Sequence, residues 1–281
     1  MSATLYALAA IALWSTLASL GTALAQLPPF LLTGLALMIG SVMSWPLVLR
    51  DRRAWAVPAR TLALGVYGLF GFHFLLFIAL RHAPAVEANL VNYLWPLLMV
   101  VLAPALLPGL SLRPLHLVAG LLGFAGAAIA ILGARGASAA SAGTGYWGFL
   151  PALASAFIWS SYSLWTKRVA AFPTSAIGLF GLVSGGLSLL CHALLEPSMT
   201  LDARDWLLVV LCGLGPLGAA FFCWDLALKR GDARQLGILS YLTPLASTGL
   251  LLAVTGRPLN WTIALAAVLI ISAALIGTRA R

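Results

Sequence analysis

The sequence predicts an all-α integral membrane protein of ten transmembrane helices, arranged as two inverted five-helix repeats with the N- and C-termini cytoplasmic. Three observations carry that expectation. First, 62% of the 281 residues are hydrophobic and only 8% are charged, with mean hydropathy +1.03. A soluble domain carries about 25% charged residues, so a water-soluble fold with a large core is excluded. Second, nineteen residues occur twice without a gap: Ala79 to Leu97 lines up with Ala227 to Leu245, identical at seven positions and with Arg81 facing Lys229. Third, basic residues gather on alternate loops, as the positive-inside rule requires.

Proline, glycine and charge punctuate the chain into spans at 3–25, 29–49, 60–80, 84–107, 114–134, 146–168, 174–194, 205–228, 232–254 and 259–278. The first stops before Pro28-Pro29. The second starts on Pro29 and stops at the Arg50 to Arg53 cluster. Arg60 opens the third, and Arg81-His82-Ala83-Pro84 separates it from the fourth. Pro108-Gly109 and Arg113-Pro114 bound the fifth. The Gly- and Ser-rich stretch 136–145 is the natural linker between a first repeat, 1–135, and a second, 146–281. Lys167-Arg168 closes the sixth span, Glu196-Pro197 the seventh, Lys229-Arg230-Gly231 the eighth and Gly256-Arg257-Pro258 the ninth. Each span is apolar all round and about 20 residues long, as a bilayer-crossing helix needs. Barrel strands, which alternate polar and apolar over about 10 residues, are excluded. Ala23-Leu24-Ala25 resembles a signal-peptidase site, but no basic region precedes it and the apolar run is too long, so the first segment is kept as a span.

With the N-terminus inside, twelve Arg and Lys fall on the inner side and four (Arg81, Arg135, Arg204 and Arg257) on the outer. A miscount by one helix would erase that bias. Five spans per half is an odd number, so the halves enter the membrane in opposite senses, with the expected site at the midplane between them. A second echo, Leu13-Trp14-Ser15 against Ile158-Trp159-Ser160, pairs the first helices of the two halves. The net charge of +9 belongs to topology, and no basic run with interleaved aromatics suits nucleic acid. Cys191, Cys212 and Cys223 read as small buried thiols. No nucleotide-binding Gly-Lys-Ser/Thr loop and no metal-ligand cluster stands in the sequence, so neither cofactor nor metal is expected.

At 1.5 Å per residue, Trp14, Tyr93, Trp95 and Tyr241 all lie roughly 13–17 Å into their spans, near the midplane of a core about 30 Å thick. Trp and Tyr normally gather at the interfaces. Packing between helices is one account of these rings, and a cavity lining is the other. Asn89, Asn92 and Pro96 share one helical face with Tyr93 beside them. An Asn in hydrocarbon either bonds a neighbouring helix or faces water. Ser155, Trp159, Tyr162, Ser163 and Thr166 form a similar stripe. His73, with Phe77 one turn on, is a buried ionisable group inside a span and a functional candidate by default; a neutral His hydrogen-bonded to a neighbouring helix is the other account. Glu87 lies near an outer helix end. Asp225 stands i, i+4 from Lys229, so a surface ion pair is its first explanation. Pro96 and Pro244 are repeat equivalents that kink their helices; they are candidate hinges, or static kinks that shape the cavity. Gly120, Gly123 and Gly126 allow close helix packing.

Ten spans in two inverted halves, with Trp-Ser in the first helix of each, resemble the EamA-type branch of the drug/metabolite transporter superfamily. Glu87 to Pro96 is similar to the fourth helix of bacterial aromatic amino-acid exporters of that branch. The resemblance implies a secondary transporter, not an enzyme, that exports aromatic and other neutral amino acids across the inner membrane. It places His73, Tyr93, Trp95 and Trp159 in the cavity, beside Trp14, Phe77, Asn92, Tyr162, Ser163 and Tyr241 from the reading above. The partners implied are small-molecule amino acids and the lipid bilayer, and a monomer suffices. A multidrug or other metabolite exporter is the alternative. An intramembrane enzyme using His73 as a base is a third reading, for which no second catalytic group is visible.

Overall fold

A computed structural model describes residues 2–133, 147–255 and 261–279. The regular elements among those residues are all helices, with no strand. The chain begins with α1 (Ala3–Ser15), capped by Ser2 accepting from the Leu5 N–H, and continues past Thr16 into α2 (Leu17–Ala23). A second rod comprises α3 (Pro29–Ser41), a 3-10 turn and α4 (Trp45–Arg50). Proline suits the first position of α3, because its missing N–H would have no partner there in any case. The third rod joins α5 (Ala59–Val66) to α6 (Phe72–His82) through a π-helical turn, Tyr67–Gly71. The fourth is α7 (Ala85–Asn92) and α8 (Trp95–Leu106), and α9 (Pro114–Gly133) ends the first half. The second half follows with α10 (Phe149–Trp165), α11 (Ala176–Leu195) and α12 (Ala203–Leu214). A second π-helical turn, Gly215–Ala219, leads from α12 into α13 (Ala220–Arg230). The chain closes with α14 (Ala233–Leu239), α15 (Leu242–Thr255) and α16 (Trp261–Arg279).

Among the described residues eight continuous helical runs are long and apolar enough to cross a bilayer. They coincide, within a few residues, with the expected spans one to five, seven, eight and ten. The sixth expected span corresponds to α10, which is 17 residues long. The ninth corresponds to α14 and α15, which are interrupted at Ser240 and Tyr241. The linker 136–145, with Arg135 and Arg257, lies outside the described residues.

The rods present leucine outward, with Leu49, Leu194 and Leu150 largely exposed. In water such a surface would aggregate, whereas against lipid tails it is already solvated, so packing must come from close approach. Glycines supply it. A Cβ on Gly185 of α11 would stand 2.8 Å from the Gly34 carbonyl of α3, and one on Gly40 would stand 2.8 Å from the Gly213 carbonyl of α12. In α9 the expected close packing is present: Gly120 faces Leu97, Gly123 faces the Tyr241 ring, and Gly126 faces Ile270 and the Ala266 carbonyl.

The two candidate hinge prolines do not sit at mid-helix. Pro96 is in the first turn of α8 and Pro244 in the first turn of α15, each just beyond an interruption. The reason is steric. A proline ring collides with the carbonyl four residues back; for Pro96 that is Asn92, where α7 ends, and for Pro244 it is Ser240, one residue past α14. The π-helical turns Tyr67–Gly71 and Gly215–Ala219 are separated by the same offset as the duplicated stretch. The matching interruptions lie within one residue of that offset.

Candidate functional site

Four helices each contribute one indole to a closed ring. Trp14 of α1 meets Trp159 of α10 with centroids 5.9 Å apart, and Trp159 meets Trp95 of α8 at 6.4 Å. Trp95 meets Trp224 of α13 at 5.8 Å, and Trp224 returns to Trp14 at 5.3 Å. Three of the four contacts are edge-to-face, the arrangement that the aromatic quadrupole favours. Trp224 is held in place by donating its Nε1–H to Ser163 Oγ, 3.2 Å away. Phe221 packs on both Trp14 and Trp159, and Phe72 packs on Trp159.

A cavity of about 440 Å³ lies against this ring, within the usual range of small-molecule sites, about 300–1,000 Å³. Of the residues singled out from sequence, Trp14, His73, Phe77, Asn92, Tyr93, Trp95 and Trp159 line it. Asn89 does so too, one turn before Tyr93. Three others lie behind the wall. Tyr162 stacks beneath Trp159 with centroids 5.3 Å apart, and Ser163 serves Trp224. Tyr241 turns the other way and packs among Phe124, Ala127 and Ile270. Pro96 is buried, with its carbonyl against Gly237 of α14.

The polar groups of the wall are held by neighbouring backbone and hydroxyls. The Asn92 amide oxygen accepts from Ser155 Oγ at 2.9 Å, so one residue both ties α7 to α10 and faces the cavity. The two accounts of a membrane Asn coexist here. His73 leans its Nδ1 on the Leu69 carbonyl, 2.6 Å away and inside the first π-helical turn. The ring lies 5.0 Å from Phe72, 6.2 Å from Phe77 and 6.3 Å from Phe221. Among the described residues, no Asp or Glu belongs to the lining.

Asp225 is no part of this wall. Its carboxylate accepts from Lys229 Nζ and Thr174 Oγ1, each at 2.6 Å. The i, i+4 pair expected from sequence is present, but Asp225 is buried and Lys229 only partly exposed, so the surface placement is corrected. The extra bonds from Thr174, and from Lys229 to the Phe172 carbonyl, make that burial tolerable.

Phe72, Phe221 and Trp224 were not anticipated, nor were Thr33 and Ser247 as lining residues, whereas Thr243, the repeat partner of Trp95, does line the cavity. Trp224 stands four residues from the inner end of its span, where a tryptophan reads as part of an interface belt. One signal was available for Phe221. It occupies the position that His73 holds in the other copy of the repeat.

Comparison with known proteins places this architecture. Residues 1–132 and 146–278 each match the EamA-like transporter family. The chain is 44% identical to the aromatic amino acid exporter YddG of Ancylobacter novellus, over 99% of this chain and 97% of that one. It is 28% identical to the exporter of the same name from Salmonella typhimurium, over 98% and 96% of the two chains. For the Escherichia coli protein of that name the identity is 26%, over 92% and 91%. A solved crystal structure with 42% identity superposes at TM-score 0.89, covering 99% of this chain and 97% of its own. The chain belongs to the EamA-like transporter family, as a multi-pass membrane transporter of the bacterial inner membrane.

Proposed function

We propose that this protein exports aromatic and other neutral amino acids by alternating access, with its ten helices working as two inverted five-helix repeats, 1–135 and 146–281, and both termini in the cytoplasm. The observation that carries the reading is a cavity walled by three indoles and three phenyl rings, Trp14, Trp95, Trp159, Phe72, Phe77 and Phe221, in a chain whose relatives are named aromatic amino acid exporters. Flat aromatic side chains stack on such walls. Substrate contacts fall to Trp14, His73, Phe77, Asn92, Tyr93, Trp95 and Trp159.

The inverted arrangement rests on more than the duplicated stretch. The packing of α1 on α13 is matched by that of α10 on α6, and α8 packs on α10 as α15 packs on α1. The two π-helical turns and the two interruptions correspond as well. With the termini inside, the cavity opens outward: its lining runs from Trp14 to Leu24 in the first rod and from Phe72 to Leu80 in the third. Trp159, Tyr162 and Trp224 close it toward the cytoplasm. Pro96 and Pro244, each beside an interruption with few backbone bonds to break, are the hinges about which the half-helices swing.

Counterflow of labelled tryptophan in proteoliposomes is the test. Preloaded unlabelled tryptophan should drive accumulation above that in empty liposomes, with phenylalanine and leucine competing. Absence of counterflow by a folded, reconstituted protein would overturn the reading. If hydrophobic cations compete and amino acids do not, the multidrug alternative replaces it. For topology, cysteines introduced at Ser2 and Thr278 should both resist an impermeant thiol reagent in right-side-out vesicles.

A further inference from the structure

We propose that His73 is the residue that reads the substrate's ammonium group, through Nε2 acting as a fixed hydrogen-bond acceptor inside a cage of phenyl rings. The proposal rests on the export reading above and specifies how the same cavity would orient an amino acid.

The Leu69 carbonyl sets the protonation of the His73 ring. A carbonyl oxygen can only accept, so the 2.6 Å contact with Nδ1 puts the ring proton on Nδ1 and fixes the tautomer. Nε2 is then the acceptor of the neutral imidazole, and it meets no hydrogen-bonding partner among the described residues. It is not sealed away either, because His73 lines the cavity and its nitrogens are not among the buried, unbonded atoms. The position of the ring follows from the backbone. The π-helical turn Tyr67–Gly71 disturbs the regular i to i−4 ladder, and its Leu69 carbonyl engages a side chain. Single π turns inside α-helices recur at functional sites for this kind of reason.

The surroundings choose the donor. Phe72, Phe77 and Phe221 lie 5.0, 6.2 and 6.3 Å from the imidazole. A phenyl face attracts a cation within about 6 Å of its centroid and has nothing to offer a carboxylate, so the aromatic neighbours of the imidazole suit an ammonium better than an anion. The wall holds no carboxylate to do this by charge. The Asn92 amide oxygen is engaged by Ser155. In the other half of the repeat the matching position is Phe221, which has no acceptor to offer. His73 therefore offers the wall's ring-nitrogen acceptor on the first-half side, beside the amide and hydroxyl oxygens of Asn89, Thr33, Thr243 and Ser247, and it orients the amino acid from that side.

The test uses full-length protein in proteoliposomes and three ligands: tryptophan, tryptamine, which lacks the carboxylate, and indole-3-propionate, which lacks the ammonium. For the wild type, tryptamine should bind and inhibit while indole-3-propionate binds at least about tenfold more weakly than tryptophan. In His73→Leu, tryptophan and tryptamine should weaken about ten- to a hundredfold, the range for losing a hydrogen bond to a charged group, with indole-3-propionate unchanged. His73→Gln, which keeps an acceptor oxygen, should recover part of the loss. Equal weakening of all three ligands in His73→Leu would show a structural role and overturn the proposal. So would wild-type protein that binds indole-3-propionate as tightly as tryptophan, a comparison that needs no variant to fold. If tryptophan is not transported but tryptamine binding still depends on His73, the export reading fails and this one stands. Wild-type protein that binds no amine overturns it.

Discussion

Replacing Glu196 should cost this protein more stability than its position at a helix end suggests. Its side chain is 1% exposed and takes four donors: the backbone N–H groups of Phe30 and Leu31 at 3.1 and 3.2 Å, Arg81 at 2.7 Å and His192 at 3.0 Å. The first two belong to the opening turn of α3, whose cap position is Pro28 and has no side-chain acceptor. Glu196, from the far end of α11, therefore caps a helix it does not adjoin in sequence. In Glu196→Ala both N–H groups lose their acceptor, for a capping loss of about 0.5–2 kcal/mol, and the buried hydrogen bonds to a charged group add about 1.5–3 kcal/mol. The Arg81 side chain is 41% exposed, so its share is discounted to about 0–1 kcal/mol. A total of about 2–6 kcal/mol follows for Glu196→Ala, roughly half of it for Glu196→Gln, and under about 1 kcal/mol for Arg81→Ala. Equilibrium unfolding by SDS in mixed micelles would measure all three. The capping argument is refuted if Arg81→Ala costs as much as Glu196→Ala, because the ion pair would then be the larger effect.

Three further outcomes are expected. Trp95→Ala and Trp159→Ala should each reduce tryptophan counterflow at least about tenfold, the effect of a lost aromatic contact with its buried area, while the variants still insert and run as monodisperse peaks; unchanged flux in both would remove these rings from the site. Gly123→Leu drives a side chain into the Tyr241 ring, 2.3 Å from a Cβ there, and should lower stability by about 1–3 kcal/mol, whereas Gly186→Ala meets nothing within 4 Å and should be neutral or slightly stabilising, as thermal unfolding in detergent would show. Asp232 caps α14 through the Arg234 N–H at 2.8 Å and also binds the Arg234 side chain; Asp232→Ala should cost about 1–2 kcal/mol and Asp232→Asn less, since the amide still caps, and equal losses in the two unfolding curves would mean that the charge alone matters.

The fold was legible because hydrocarbon admits few solutions. Every backbone polar group must be satisfied within its own segment, so long apolar runs punctuated by Pro28, Arg50 and Pro84 could only be helices. Rotation about each helix axis was not legible. Tyr93 and Tyr241 are repeat equivalents, yet one faces the cavity and the other packs among Phe124, Ala127 and Ile270. A helix that is apolar all round carries no polar face to set its rotation. That setting comes from contacts such as Gly123 against Tyr241, which only the assembled structure reveals. For the same reason Asn92 was legible and Trp224 was not. A lone amide in hydrocarbon stands out anywhere, whereas a tryptophan near an inner helix end resembles a membrane anchor.

The ring of indoles has a use that its chemistry does not exhaust. Four chromophores with centroids 5.3–6.4 Å apart, one from each of α1, α8, α10 and α13, couple their electronic transitions. Near-ultraviolet circular dichroism and emission depend steeply on such distances and tilts. Any motion that separates two of these helices opens the ring and alters its spectrum. The protein thus carries an optical gauge of its own conformation, with no label attached, and removing a single member would show how much of the signal the closed circuit supplies.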